Sequence, residues 1–152
     1  LDVSDIEQVR QGIVVTLRHS KTDQEGTGRK IGIPLGRTRW CPVAAITRWL
    51  DIAGITEGPM FRPVDRHGNV GAGRLSGEAV SIVVRERVGA AGIDPAGYSG
   101  HSLRAGFATS AAQAGVSTIK IRQQTGHASD VVLGRYIRDA ELFTGNAAGV
   151  ML

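Results

Sequence analysis

Four side chains between positions 100 and 138 have the types and spacing to act on a phosphate. They are His101 and Arg104 in Gly100-His101-Ser102-Leu103-Arg104, His127 in Thr125-Gly126-His127, and Tyr136 in Tyr136-Ile137-Arg138. Taken singly each is ordinary: a solvated arginine, two capping or hydrogen-bonding histidines, an amphipathic tyrosine at a core edge. Together they supply the parts of one reaction. His101 and Arg104 are three residues apart at the start of an expected helix, so they project from neighbouring points of one face and could grip a single anion. A guanidinium offers a planar fork of donors that fits two phosphate oxygens, which lysine cannot reproduce. His127 follows Gly126 at a helix boundary, where backbone can approach a ligand closely and an imidazole can donate to a remaining oxygen. Tyr136 supplies a phenol whose phenolate would attack phosphorus; phenols ionise near pH ~10, so the reaction needs positive charge or a base beside it.

These residues need a scaffold, and the sequence sketches one. Ile13, Val15 and Leu17 alternate onto one face, as do Ile31, Ile33 and Leu35, with a polar stretch from Ser20 to Gly28 between them. That is the pattern of an antiparallel hairpin with a long loop, and Lys21 sits where the first strand enters it. From Pro42 the period turns helical: Val43, Ile46, Trp49 and Leu50 share a face, and Gly54 is placed to end the helix. A Gly- and Pro-containing connection runs from Gly58 to Gly73. Ser76 then caps a second helix, whose Val80, Val83, Val84 and Val88 are expected to form a buried stripe. Further helices are expected at Ser102 to Ala114, Thr118 to Thr125 and Val131 to Ala140. The expected class is α+β and mostly α, a small antiparallel sheet followed by a helical bundle in a single domain over 1–152.

Composition agrees with a globular domain: 152 residues, 41% hydrophobic, with no apolar run near the roughly 18 residues that span a bilayer. No export signal is read at the amino terminus, so the cytoplasm is the expected compartment. The single cysteine, Cys41, excludes an internal disulfide, gives no zinc-ligand set, and reads as a small buried or half-buried thiol. Net charge is +4, and its distribution matters more than its size. Residues 18 to 39 carry six Lys or Arg against Asp23 and Glu25, and residues 101 to 138 carry five against Asp130 alone. Two basic segments on a slightly acidic body have the look of a phosphate-backbone footprint. The cations expected to meet DNA are Arg18, Lys30, Arg39, Lys120 and Arg122.

The ordered set resembles the signature of the tyrosine recombinase (phage integrase) family: His-x-x-Arg, then Gly-His, then a tyrosine nine residues after that histidine, as from His127 to Tyr136. Phe107-Ala108-Thr109, Ala114-Gly115-Val116-Ser117 and Leu17-Arg18-His19-Ser20-Lys21-Thr22-Asp23 are similar to the family's segments at the same places, so the likeness runs from about residue 2 to residue 140. The resemblance implies double-stranded DNA as partner and Tyr136 as nucleophile. It implies Arg104 and His127 as stabilisers of a phosphorane-like transition state, and His101 in phosphate binding and proton transfer at the tyrosine. Lys21 would be general acid to the departing 5′-oxygen, and the product a 3′-phosphotyrosyl link. It calls for no metal and no other cofactor. It also implies a tetramer on DNA, with the apolar tail Leu142, Phe143, Val150, Met151 and Leu152 docked on a neighbouring protomer.

One departure stands beside the match. The family's site has a second arginine on an upstream helix, in a segment resembling Arg-Arg-Ser-Glu-Leu, and residues 1 to 152 begin after the equivalent point. Arg10 lies before the first expected strand and Arg18 in it, so neither substitutes by position. The expectation is a fragment without its first helices and upstream DNA-binding domain, and therefore weakly active. Two other readings stay open: a catalytically silent DNA-binding module of the same fold, and a type IB topoisomerase, which shares the chemistry.

Overall fold

The computed structural model describes residues 1–18, 28–127, 129, 131, 133–134 and 136, and the chain forms two compact units, Leu1–Ser76 and Gly77–Leu152.

The first unit is built on a three-stranded antiparallel sheet in the order β1 (Ile6–Val9), β2 (Gly12–Leu17), β3 (Arg29–Pro34). The two alternating runs are β2 and β3, paired Ile13 with Ile33 and Val15 with Ile31. β1 is an addition to the hairpin that patterning indicates. It is four residues long and its polar Glu7 and Gln8 sit side by side, so it carries no period-2 signal, yet it pairs Ile6 with Val15 and Val9 with Gly12. Leu35 falls just past β3 and is exposed rather than continuing the strand. Gly12 opens β2 at φ +153°, and a Cβ there would lie 2.1 Å from the Ile33 carbonyl oxygen, so only glycine fits this close strand approach.

Helix α1 (Pro42–Ile52) starts as its proline suggests, with the Cys41 thiol accepting from the Ala44 N–H at 3.4 Å. Cys41 is buried with Ile13, Val15 and Val43, and Ile6, Leu17, Ile33 and Ile46 close the cluster. Burying each such aliphatic side chain contributes about 1.5 to 3 kcal/mol. The connection after α1 is irregular but pinned. Trp49 Nε1 donates to the Met60 carbonyl at 2.7 Å, Gly71 N–H to Pro63 at 2.8 Å, and Arg74 pairs with Asp2 at 2.7 Å.

The second unit is helical: α2 (Gly77–Ala90), α3 (Gly100–Gln113), α4 (Thr118–Thr125), and helical backbone again at 131, 133, 134 and 136. α3 carries Ala108 and Ala112 one turn apart, and these small side chains let α4 come close. With Ile121 and Leu133 they form the core, against which Ala111 and Tyr136 pack. The expected stripe on α2 is corrected: Val84 is buried, but Val80 and Val83 are exposed. Periodicity marks a face as apolar; whether anything covers it is a tertiary matter. Lys21 and the tail from residue 137 lie outside the described residues.

Candidate active site

Helix α3 sets the first pair of groups. Ser99 is its N-cap: its Oγ accepts from the His101 N–H at 3.2 Å, while Ser102 Oγ accepts from the Ser99 N–H at 3.1 Å. This reciprocal cap satisfies helix-end donors and fixes where the first turn begins. It leaves His101 exposed and Arg104, one turn later, half-buried. Arg104 Nε is buried and has no hydrogen-bond partner among the described residues. An unsatisfied buried guanidinium N–H is costly, and an arriving anion would supply the missing acceptor.

Leu133 sits in the core and Tyr136 follows three residues later, so packing of the one presents the other. The Tyr136 hydroxyl lies 3.3 Å from His101 Nε2. Its ring stands 5.8 Å from the His127 ring, tilted by 46°. Tyrosine, both histidines and the arginine therefore form one cluster, although up to 35 residues separate them in the chain.

His127 enters the cluster from the end of α4. Gly126 takes the left-handed conformation, φ +68°, closing the helix so that His127 turns back along it. The side chain is 7% exposed. Burial, and then the electrostatic influence of Arg104 and of His101, hold its pKa below the ordinary 6.5. Its Nδ1 is 2.6 Å from Thr125 Oγ1, which donates to the Ile121 carbonyl at 2.8 Å. Its Nε2 is buried without a partner among the described residues. Ile119, Arg122, Gln123 and His127 line an open pocket of about 290 Å³ beside it.

The structure thus brings together His101, Arg104, His127 and Tyr136, while Lys21 lies outside the described residues. The expected DNA contacts fare differently. Lys30, Arg39, Lys120 and Arg122 are exposed. Arg39 lies over the ring of Trp40, 4.6 Å from its centre, and Trp40 is itself 76% exposed. Arg18 is also exposed, but its Nε pairs with the buried Asp5 at 2.6 Å, which ties the guanidinium to its own protein. Asp5 has a lowered pKa, chiefly through its bond with the backbone of Asp2 and then through Arg18. Sequence reasoning missed Thr125, which reads in one dimension only as the last residue of a helix. The available signal was a hydroxyl two residues before a histidine, across a glycine fitted to reverse the chain.

Among the described residues no helix is long and apolar enough to cross a membrane. The chain is 40% identical over 152 residues to an integrase/recombinase xerD homolog of Selenomonas ruminantium, covering 99% of this chain and 45% of that protein. It thus spans a little under half the length of this curated relative. The phage integrase family model matches residues 1–142, a stretch that takes in the sheet, every described helix and the whole His-Arg-His-Tyr cluster, and the chain therefore belongs to the phage integrase family.

Proposed function

We propose that the 152 residues act as the catalytic domain of a site-specific DNA recombinase that cleaves and rejoins strands through a 3′-phosphotyrosyl intermediate. The observation that carries this reading is the 3.3 Å approach of His101 Nε2 to the Tyr136 hydroxyl beside an arginine with an unsatisfied buried N–H. His101 takes the phenolic proton, and the Tyr136 oxygen attacks phosphorus as the bond to the 5′-oxygen breaks. Arg104 and His127 hold the non-bridging oxygens, where negative charge gathers. Lys21 is the proposed proton donor to the leaving 5′-oxygen. The 5′-hydroxyl of a second strand then attacks the phosphotyrosyl ester, restoring both the phosphodiester and Tyr136. The chemistry conserves bond energy and calls for no metal or nucleotide.

The exposed Lys30, Arg39, Lys120 and Arg122 are the proposed backbone contacts, with Arg18 a weaker one because of Asp5. The apolar tail from Leu142 to Leu152 is the proposed contact between protomers of a tetramer on DNA. A cytoplasmic location suits a DNA substrate. Taken alone, residues 1–152 are proposed to be weakly active. The family's second guanidinium has no identified counterpart in them, and loss of one such preorganised donor costs roughly 100 to 1,000-fold in rate.

The test is a nicked suicide duplex incubated with the chain and with Tyr136→Phe. A denaturation-resistant protein–DNA adduct that disappears in the phenylalanine variant is expected, even if it forms slowly. An adduct of equal yield in the variant would overturn Tyr136, and binding with no adduct at any time would favour the silent DNA-binding module.

A further inference from the structure

Two oxygens 2.8 Å apart need a proton between them, and of Thr125 Oγ1 and the Ile121 carbonyl only the hydroxyl carries one. This is the back-bond that threonine makes to the carbonyl four residues earlier in a helix. The hydroxyl has a single proton, so the 2.6 Å contact between Oγ1 and His127 Nδ1 must be bridged by a proton from the imidazole. His127 therefore carries hydrogen on Nδ1. Burial and the facing positive groups keep the ring neutral, so Nε2 is left with a lone pair. Both Thr125 and His127 are buried, at 8% and 7% exposure, so water competes poorly for this contact.

We infer that Thr125 is a positioning residue that fixes His127 in the Nδ1–H tautomer, so that Nε2 can donate to an anionic oxygen only after taking up a proton. The first half is a property of the free protein. The second rests on the reading of this cluster as a phosphate site. A phosphodiester oxygen has no proton to offer Nε2, so a neutral His127 would meet it lone pair to lone pair. The anion's charge favours the imidazolium: Nε2 takes one proton from solvent hydronium, forming an N–H bond as the donor's O–H bond breaks and a water is left. The charged and titratable groups facing His127 among the described residues are Arg104 and His101 on α3, Arg122 on α4, and Tyr136. Of these, Arg104 and then His101 oppose protonation of His127 until the anion arrives. Thr125 thus turns His127 from a standing donor into one that is charged when the site is filled.

The experiment is long-range proton–nitrogen NMR on the chain with ¹⁵N-histidine and ¹⁵N-arginine, compared with Thr125→Ser and the near-isosteric Thr125→Val. Sulfate serves as the probe, because its oxygens cannot donate. Without sulfate, the chain and the serine variant should show His127 protonated on Nδ1, and the valine variant should move toward Nε2–H. An Nε2–H ring in the unaltered chain, or the same tautomer in all three, overturns the role of Thr125. Because the unaltered chain answers the first question alone, a poorly folded variant does not rescue the idea. With sulfate, His127 should become protonated on both nitrogens. Sulfate affinity should then fall by up to about tenfold per pH unit between the free and bound pKa values, and more weakly in Thr125→Val. Sulfate-induced shifts at Arg104 with His127 still singly protonated would overturn the proton coupling while sparing the phosphate reading. No shift at Arg104, His101 or His127 would overturn both, and the sulfate-free spectra would still decide the tautomer.

Discussion

Replacing Arg104 by lysine separates what its charge does from what its shape does. The half-buried guanidinium, with an unsatisfied buried Nε, has the fork geometry to hold two phosphate oxygens at once; an ammonium offers a point charge. If Arg104 is a preorganised donor to the charge that develops at phosphorus, Arg104→Lys should slow adduct formation roughly 100 to 1,000-fold, or about 3 to 4 kcal/mol of transition-state stabilisation. Non-specific DNA affinity should change little, since the positive charge remains. The slope of log affinity against log salt should also hold, because even full removal of one phosphate-neutralising cation lowers its magnitude by only about 0.9. A companion variant checks that the site stays assembled. The Arg104 charge is the second cause of the lowered His127 pKa, behind burial. Lysine should therefore leave the His127 titration nearly where it was, while Arg104→Gln should move it part of the way up toward 6.5. The assays are single-turnover cleavage of a suicide duplex, a binding titration at several salt concentrations, and histidine NMR. Cleavage by Arg104→Lys within a few fold of the parent would refute the bidentate role. An unmoved His127 titration in Arg104→Gln would refute the proximity on which the site is built.

Leu133→Ala should cost about 2 to 5 kcal/mol, since Leu133 is fully buried against Ala108, Ala112 and Ile121; a urea-unfolding loss under about 1 kcal/mol would contradict that core. Gly12→Ala should destabilise the sheet unit by at least about 1 to 3 kcal/mol, because its Cβ would strike the Ile33 carbonyl at 2.1 Å; an unchanged midpoint would mean a different strand register. The low pKa of His127 means the unfolded chain takes the proton first. Its contribution to stability is then full above about pH 6.5 and is lost as pH falls through the lower folded value. Urea midpoints measured from neutral to mildly acidic pH should fall less steeply in His127→Gln than in the parent, and parallel curves would argue against a neutral buried His127.

Much of this molecule is legible in one dimension. The alternation of Ile13, Val15 and Leu17 against Ile31 and Ile33 specifies two strands, because period-2 patterning is a direct consequence of the pleat. Pro42, Gly54 and Gly126 mark helix ends because a preset φ and left-handed turns select residue types locally, whereas the Ser99 cap, which starts α3 at Gly100 and not at Ser102, came only with the structure. His101-x-x-Arg104, Gly126-His127 and Tyr136 can be assembled into one reaction because each group's chemistry is set by its own atoms. What needed the tertiary structure is whatever depends on partners far along the chain. β1 has no pattern of its own and exists because β2 offers it an edge. Val80 and Val83 look like core and are exposed, since patterning does not say what lies opposite. Arg18 reads as a free cation and is bound to Asp5. The surroundings of His127 were furthest from view: a hydroxyl, a helix carbonyl, the neighbouring Arg104 and His101, and burial meet at a single ring, and no spacing rule encodes the field that they make together.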